Sequence, residues 1–367
     1  MRILLTGGFS GGHIFPLVAV ARKLKEKSNI ELLYVGSGSK IEKKTMEAEE
    51  IRTSYIFAGK VRRYFSLLNF VDFFKIPIGF FQSLFILLKF MPDAVFSKGG
   101  YVSVPVVVAA WIYRIPIIIH ESDATPGTSN KILAKFSNKI AVAYARTQDY
   151  FEASKTAIVG NPIRDGINEG DKDEARKVFN FSESKPTVLI LGGSQGSEVI
   201  NEAVVRILPK LLQRSQVIHQ TGEKNYEDVV RKAGEQGIKA GREGYYASPF
   251  LDFEKIKQAY AVSDMVISRA GANIIAEIAA NAKPNILIPL EHSAQDHQRM
   301  NAYEIAKAGG TLVLEESNLG ENIFLEKIEK ILSNDELKEN MSKNINAFYH
   351  PKAAQYIAEG LIEMGNE

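Results

Sequence analysis

VLILGGSQGSEVI, residues 188–200, runs from an apolar strand through a glycine turn into a helical pattern. The chain opens in the same way. Ile3-Leu4-Leu5 leads into GGFSGGHIFP, residues 7–16, and then into the helical pattern Leu17-Val18-Ala19-Val20-Ala21. Between and after these two turns, short β-branched runs alternate with helical patterns, which predicts parallel sheets with crossover helices. The strands expected in the first half are Ile3–Leu5, Leu32–Val35, Ala94–Phe96, Ile117–Ile119, Ile140–Val142 and Ile158–Val159. Those expected in the second half are Val188–Leu191, Gln216–His219, Val266–Ile267, Ile286–Ile288 and Thr311–Leu314. Most are nearly continuous apolar runs, as strands covered on both faces require. GNPIRDGI, residues 160–167, marks a turn with Asn-Pro and Gly, and the charged run EGDKDEARK follows it. The reading is an α/β chain of two Rossmann-like parallel-sheet domains, 1–163 and 164–367, facing across a cleft. The last helical segment, 351–364, is compatible with either half.

Composition narrows the classes. A chain of 367 residues with 45% hydrophobic content can bury the cores of two domains. A formal net charge of +2 gives no support to a general nucleic-acid binder. The absence of cysteine removes disulfides, thiolate metal sites and thiol nucleophiles. MRILLTGG lacks the charged, apolar and small-residue regions of a signal peptide, so none is expected. Residues 76–88 (IPIGFFQSLFILL) and 101–113 (YVSVPVVVAAWIY) are each thirteen uncharged residues. A spanning helix needs roughly twenty. The chain reads as soluble.

A glycine turn at a helix start presents backbone N–H groups that suit a diphosphate or a sugar hydroxyl. Neither turn spells G-x-G-x-x-G, and no G-x-x-x-x-G-K-[ST] occurs, so neither a dinucleotide fingerprint nor a P-loop is present. Tight helix–sheet packing explains one such turn. Two in corresponding places favour ligand binding. His13 directly follows the first Gly-Gly, at a strand's carboxyl end. With an unperturbed pKa of about 6.5, an imidazole there can take a proton from an attacking hydroxyl. The plainer alternative is a surface or capping histidine.

SRAGANIIAEIAANAKP, residues 268–284, again turns from a strand into a helix. Glu277 lies inside that helix among Ile274, Ile275, Ala276, Ile278 and Ala279, which disfavours a solvated charge. A carboxylate there can accept hydrogen bonds from the vicinal hydroxyls of a ribose. Asp296, His297 and Gln298 in DHQRMNA could hold a metal or sugar hydroxyls. Without a second histidine cluster at ligand spacing, the sugar is preferred, and neither a metal nor a cofactor is expected. His120, His219 and His292 lie at or just past strand ends, and His350 reads as surface. Asp171-Lys172-Asp173 reads as a solvated helix start.

Residues 61–89 interleave aromatic and basic side chains, including Arg62, Arg63, Phe73, Lys75, Phe81, Phe85 and Lys89. An amphipathic element with basic flanks would rest on an anionic membrane surface. Leu84, Leu87 and Leu88 are expected in the core.

TGGFSGGHIFP, GKVRRYFS, SKGGYVSVP, HESDATPG with TSNK, GNPIR, GGSQGS, HQTG, SRAGAN with Glu277, and DHQ with Asn301 occur in this order nearly end to end. Together they make the chain similar to the MurG family of lipid-linked N-acetylglucosaminyltransferases, which have the GT-B fold. The resemblance implies inverting, metal-independent transfer from UDP-N-acetylglucosamine to a polyprenyl-diphosphate-linked muramoylpentapeptide in peptidoglycan synthesis. The place implied is the cytoplasmic face of the plasma membrane, with cell-wall synthesis proteins as possible partners.

The resemblance also implies site residues. The acceptor would lie with the first half, at Gly11, His13, Tyr101, His120 and Asn130. The donor would lie mostly with the second. Its contacts would be Ser10, Gly11, Gly12, Asp123, Arg164, Ser194, Gln195, Leu251, Arg269, Ala272, Asn273, Glu277 and Gln298. His13 would be the base or its partner, with Arg164 and Ser194 by the diphosphate, Glu277 on the ribose and Gln298 on the sugar. Two departures stand out. GGFSGGH carries one residue more than the usual GGTGGH, and His120-Glu121-Ser122-Asp123 replaces HEQN. Asp123 thus puts a group that only accepts hydrogen bonds where an amide also donates them. The rival readings are a UDP-N-acetylglucosamine 2-epimerase, a diacylglycerol glycosyltransferase, and an inactive sugar-nucleotide-binding membrane scaffold.

Overall fold

The computed structural model describes every residue except 9–10, 28, 60–66, 194–195 and 243, and at 67–74 the backbone alone. The expectations for Ser10, Arg62, Arg63, Ser194, Gln195 and the Phe73 side chain therefore lie outside the described residues. The chain divides into two compact units, Met1–Arg164 with His350–Glu367, and Asp165–Tyr349.

The first unit strings together β1 (Arg2–Thr6), α1 (Gly11–Lys25), β2 (Glu31–Gly36), α2 (Lys40–Ala48), β3 (Arg52–Tyr55), α3 (Leu67–Phe90), β4 (Ala94–Ser97), α4 (Ser103–Ile112), β5 (Ile117–Glu121), α5 (Thr128–Leu133), β6 (Lys139–Val142) and β7 (Thr156–Ile158). All strands pair in parallel in the order β3-β2-β1-β4-β5-β6-β7. Alternate residues of the five inner strands feed two cores. Ile3, Leu5, Phe96 and Ile118 face one side with α1, while Leu4, Val95, Ile117 and Ile119 face the other with α4. This two-sided burial is why the strand sequences read as unbroken apolar runs.

In the second unit, α6 (Lys172–Phe179) precedes β8 (Thr187–Leu191), α7 (Glu198–Arg214), β9 (Gln216–Gln220), α8 (Tyr226–Glu235), β10 (Tyr245–Ser248) and α9 (Phe253–Val262). β11 (Met265–Ser268), α10 (Ala272–Ala280), β12 (Asn285–Leu287), α11 (His297–Lys307), β13 (Leu312–Val313), α12 (Glu321–Leu332) and α13 (Asp335–Asn346) complete it. Its parallel order is β10-β9-β8-β11-β12-β13. Both sheets thus place their first strand internally and reverse direction beside it, the arrangement that puts ligands at the carboxyl ends of the strands. The final helix, α14 (Ala353–Asn366), buries Ala354, Ile357, Ala358 and Leu361 in the same core as α1.

Two strands were not expected, β3 (RTSY) and β10 (YYAS). Each is the outer strand on the same side of its sheet. With one neighbour and partial cover, an edge strand needs no continuous apolar run. Asp171 caps α6 by accepting the Glu174 amide at 2.7 Å, the helix start read from the charged run. One expectation is corrected on α3. Gly79, Ser83, Leu87 and Phe90 face inward, whereas Leu88 is 58% exposed and joins Ile78, Phe81 and Phe85 on the outer face. The i, i+3, i+4 spacing produces both stripes, and only the inner one belongs to the core.

Candidate functional site

In the first unit, three turns meet at the carboxyl ends of β1, β4 and β5. His13 is the third residue of α1 and half-buried. A Cβ placed on Gly8 would lie 2.9 Å from its Nδ1, and one on Gly100 would lie 3.7 Å from its Nε2. The imidazole is therefore seated between two backbone turns with no room for side chains there. Gly100 holds φ +87, a conformation glycine adopts without penalty, and Tyr101 follows it half-buried. Arg164 brings its guanidinium carbon 5.3 Å from the centre of the Phe15 ring, and that ring covers Gly11. Arg164 is thus carried beside the first turn of α1, with Gly11, Gly12 and His13.

His120 is fully buried. Its Nε2 lies 2.8 Å from the Gly160 carbonyl and so carries the proton. Burial first, and then the Lys98 charge, hold its pKa well below the ordinary imidazole value. Asn130 is also buried, donating to the His120 carbonyl at 3.1 Å and to Glu121 at 2.9 Å. Glu121 accepts the Asp123 amide at 3.0 Å and the Gly127 amide at 2.9 Å as well. One carboxylate thereby templates the loop that presents half-buried Asp123. Lys98, 2% exposed, donates to Ser122 Oγ at 2.9 Å on the same loop. Burial lowers the Lys98 pKa against the opposing pull of Glu121 and Asp123, and raises that of Glu121. Sequence reasoning missed Glu121 and Lys98. The available signal was a charged residue placed directly at the end of an apolar strand, in HESD and SKGGY.

The second unit repeats the device around Gly193 and Gly196, whose φ values are +90 and +78. Ser197 caps α7 by accepting the Ile200 amide at 3.3 Å. Gln220 then ties two loops together. Its Nε2 donates to the Gly193 carbonyl at 3.2 Å, and its Oε1 accepts the amide of buried Leu251 at 3.1 Å. Beneath it, Asn201 Nδ2 donates to the Thr221 carbonyl, which leaves Oδ1 to accept from His219 Nε2 at 3.0 Å. His219 Nδ1 consequently accepts from the Tyr245 hydroxyl at 3.0 Å. Burial pushes the His219 pKa down to about 3, so this relay stays neutral. Gln220 and His219 are supports that the sequence motif HQTG contained without revealing.

Glu277 is 8% exposed and accepts the Tyr260 hydroxyl at 3.3 Å, so it is not a solvated helix charge. α10 starts after Gly271 with no side-chain cap, and Ala272 and Asn273 are half-buried at its open end. Arg269 is 7% exposed, donates to Ser197 and the Ile288 carbonyl, and forms an ion pair with Glu316. Gln298 accepts the Leu290 amide at 3.0 Å, which shapes a loop where His292, Gln295 and Asp296 all hold positive φ. Backbone strain of this kind persists where surrounding structure fixes it, commonly at ligand sites. Asn301 anchors α11 to the Ala270 carbonyl at 3.2 Å. No group of three or more metal-ligating side chains forms among the described residues.

Two doubly wound units, each with a glycine turn after its first strand, are the two Rossmann-like halves of a GT-B-type fold. Residues 3–142 match the glycosyltransferase family 28 N-terminal domain, and 187–357 match its C-terminal domain. A relative from Clostridium perfringens is 40% identical over 347 residues, 94% of this chain and 92% of its own length. It is named UDP-N-acetylglucosamine–N-acetylmuramyl-(pentapeptide) pyrophosphoryl-undecaprenol N-acetylglucosamine transferase. The crystal structure of Acinetobacter baumannii MurG superposes with a TM-score of 0.77 at 24% identity, covering 99% of both chains. UDP-GlcNAc 2-epimerase from Neisseria meningitidis superposes with a TM-score of 0.70 at 14% identity, over 99% of this chain and 100% of its own, a likeness of fold alone. The chain belongs to glycosyltransferase family 28 and, within it, to the family of N-acetylglucosamine transferases that the Clostridium relative represents.

Proposed function

We propose that this chain transfers N-acetylglucosamine from UDP-N-acetylglucosamine to the muramoyl 4-hydroxyl of a polyprenyl-diphosphate-linked muramoylpentapeptide, inverting the anomeric centre. The observation that carries the reading is the 40% identity over 94% of the chain to a relative named for this transfer. The hydroxyl oxygen bonds to the anomeric carbon as the bond from that carbon to the UDP oxygen breaks. His13 takes the hydroxyl proton, and the departing diphosphate draws on the α7 start and Arg164. The acceptor would be held by the turns around His13 and Tyr101, with His120, Asn130, Glu121 and Lys98 shaping the neighbouring loop that carries Asp123, a donor contact in this reading. Leu251, Ala272, Asn273, Glu277 and Gln298 would hold the donor. Arg269 would act on it through Ser197.

The decisive assay follows labelled N-acetylglucosamine from its UDP donor onto the lipid-linked muramoylpentapeptide, with diacylglycerol as control acceptor. Label on diacylglycerol alone, or release of a 2-epimer, would refute the proposal. Transfer should persist in excess EDTA, because this reading assigns the diphosphate charge to a helix start and a guanidinium instead of a metal. Activity lost in chelator and restored by magnesium or manganese would argue otherwise.

Glu277→Ala tests the donor assignment. Losing a buried charged acceptor of ribose hydroxyls should weaken UDP binding by about 1–3 kcal/mol. The Michaelis constant for the lipid acceptor should stay near that of the parent. Unchanged UDP affinity by calorimetry, in a variant that melts normally, would remove Glu277 from the site.

No helix among the described residues is long and apolar enough to cross a membrane. Peripheral docking is the proposed route to the lipid acceptor, on the cytoplasmic face. What favours it is the exposed outer stripe of α3, together with Trp111 and Ile112 at the end of α4, which are 53% and 49% exposed.

A further inference from the structure

Glu316 is a buried carboxylate outside every motif that the sequence offers. It opens the short helical turn Glu316–Asn318 after β13, and its side chain is 11% exposed. One oxygen lies 2.5 Å from Arg269 Nη2, and the other accepts the Glu291 amide at 2.9 Å. Glu291 returns the contact, its Oε1 accepting the Ser317 amide at 3.2 Å. The same Arg269 nitrogen donates to Ser197 Oγ at 2.6 Å, the cap of α7. Next door, Glu315 accepts Arg299 Nε at 3.2 Å and the Tyr303 hydroxyl at 2.8 Å, both on α11.

We propose that Glu316 is a positioning residue for the donor, a staple that fixes three ligand-bearing segments at once. These are Ser197 at the start of α7, the Arg269–Ala272 turn entering α10, and the strained loop 290–298 that presents Gln298. The inference deepens the proposed function and rests on its donor assignment. Two opposing effects follow from removing the carboxylate. Arg269 would gain unneutralised charge beside the α7 start, which favours an anion. The three segments would lose their shared anchor, which disfavours any ligand needing all three. Displacement of about 1 Å in a positioned group can cost up to about a hundredfold, so the geometric loss prevails.

Glu316→Asp separates the two, because it keeps the charge and shortens the reach. The shorter side chain cannot hold both Arg269 and the Glu291 amide. UDP affinity by calorimetry should fall about tenfold, with the acceptor Michaelis constant unchanged. Amide exchange should quicken together at Ile200, Glu291 and Gln298. The control is Ile328→Ala, a core truncation on α12 at a fully buried site, chosen to lower the melting temperature comparably. UDP affinity equal to the parent, a loss matched by Ile328→Ala, or faster exchange at Glu291 alone would each overturn the proposal. Tighter UDP binding by Glu316→Gln would overturn it too, showing a charge effect instead of a geometric one. Should neither variant fold, UDP must slow exchange at the Glu291 and Ser317 amides of the parent, and no protection there defeats the staple. A parent that binds no UDP would refute the donor assignment instead, leaving the linked exchange in Glu316→Asp to decide the staple.

Discussion

His13→Ala is expected to lower kcat for transfer by about 10²–10⁴-fold, the range for loss of a positioned general base. UDP affinity should change by less than about twofold, since the lost interaction belongs to the attacking hydroxyl. The structural basis is the seat of the ring. Its two nitrogens are bracketed by Gly8 and Gly100, where added Cβ atoms would approach to 2.9 and 3.7 Å. That seat supplies orientation, which the alanine variant forfeits along with the proton acceptor. A companion variant, Gly100→Ala, keeps the imidazole but places a methyl 2.9 Å from the Gly8 Cα at a φ of +87. It should reduce kcat through misplacement while the fold of the second unit is untouched. If His13→Ala retains more than about a tenth of the parent kcat with the natural acceptor, another group accepts the proton. The assignment then passes to the loop carrying Asp123.

Most strands were legible because both sheets bury their central strands on two faces, so periodicity and burial gave the same message. It failed where burial is one-sided, at β3 and β10. It failed again at Leu88, since a helix apolar all around carries no signal for which stripe faces in. The residues proposed for the site, such as His13, Glu277 and Gln298, are visible in the sequence because each lies on a helix that follows a strand end. Their supports are not. Lys98, Glu121, Gln220 and Glu316 acquire meaning from partners far along the chain, as when Glu316 meets an amide 25 positions away. A local pattern cannot encode such pairings. Arg269 illustrates the same limit from the other side. Its motif suggested contact with the donor, whereas its guanidinium is engaged by Glu316, Ser197 and Ile288.

Phe81→Ser with Phe85→Ser should abolish most vesicle binding, by about thirtyfold or more. Both rings are 67% exposed on the outer stripe of α3, flanked by Ile78 at 50% and Leu88 at 58%. Full burial of a phenylalanine side chain contributes about 1.5–3 kcal/mol. Two rings that are already one-third covered therefore contribute about 2–4 kcal/mol, and each 1.4 kcal/mol is about tenfold in affinity. Lys75 and Lys89 lie one helical turn from Ile78 and Phe85 on α3 and would supply a separate electrostatic term, about 1 kcal/mol for each basic group near an anionic surface. That term decays over a Debye length of about 8 Å at physiological salt, whereas the apolar term does not. Binding by the parent should thus need anionic lipid and weaken, without vanishing, as salt is raised. Binding by the double variant should be weak at every salt concentration. Stability should hold, because the inward residues Gly79, Ser83, Leu87 and Phe90 are unchanged. A water-soluble acceptor analogue should be glycosylated at the parent rate, since His13 and Glu277 lie on other elements. A double variant that unfolds would place both rings in the core, and one that binds vesicles like the parent would move the membrane contact to another face of the molecule.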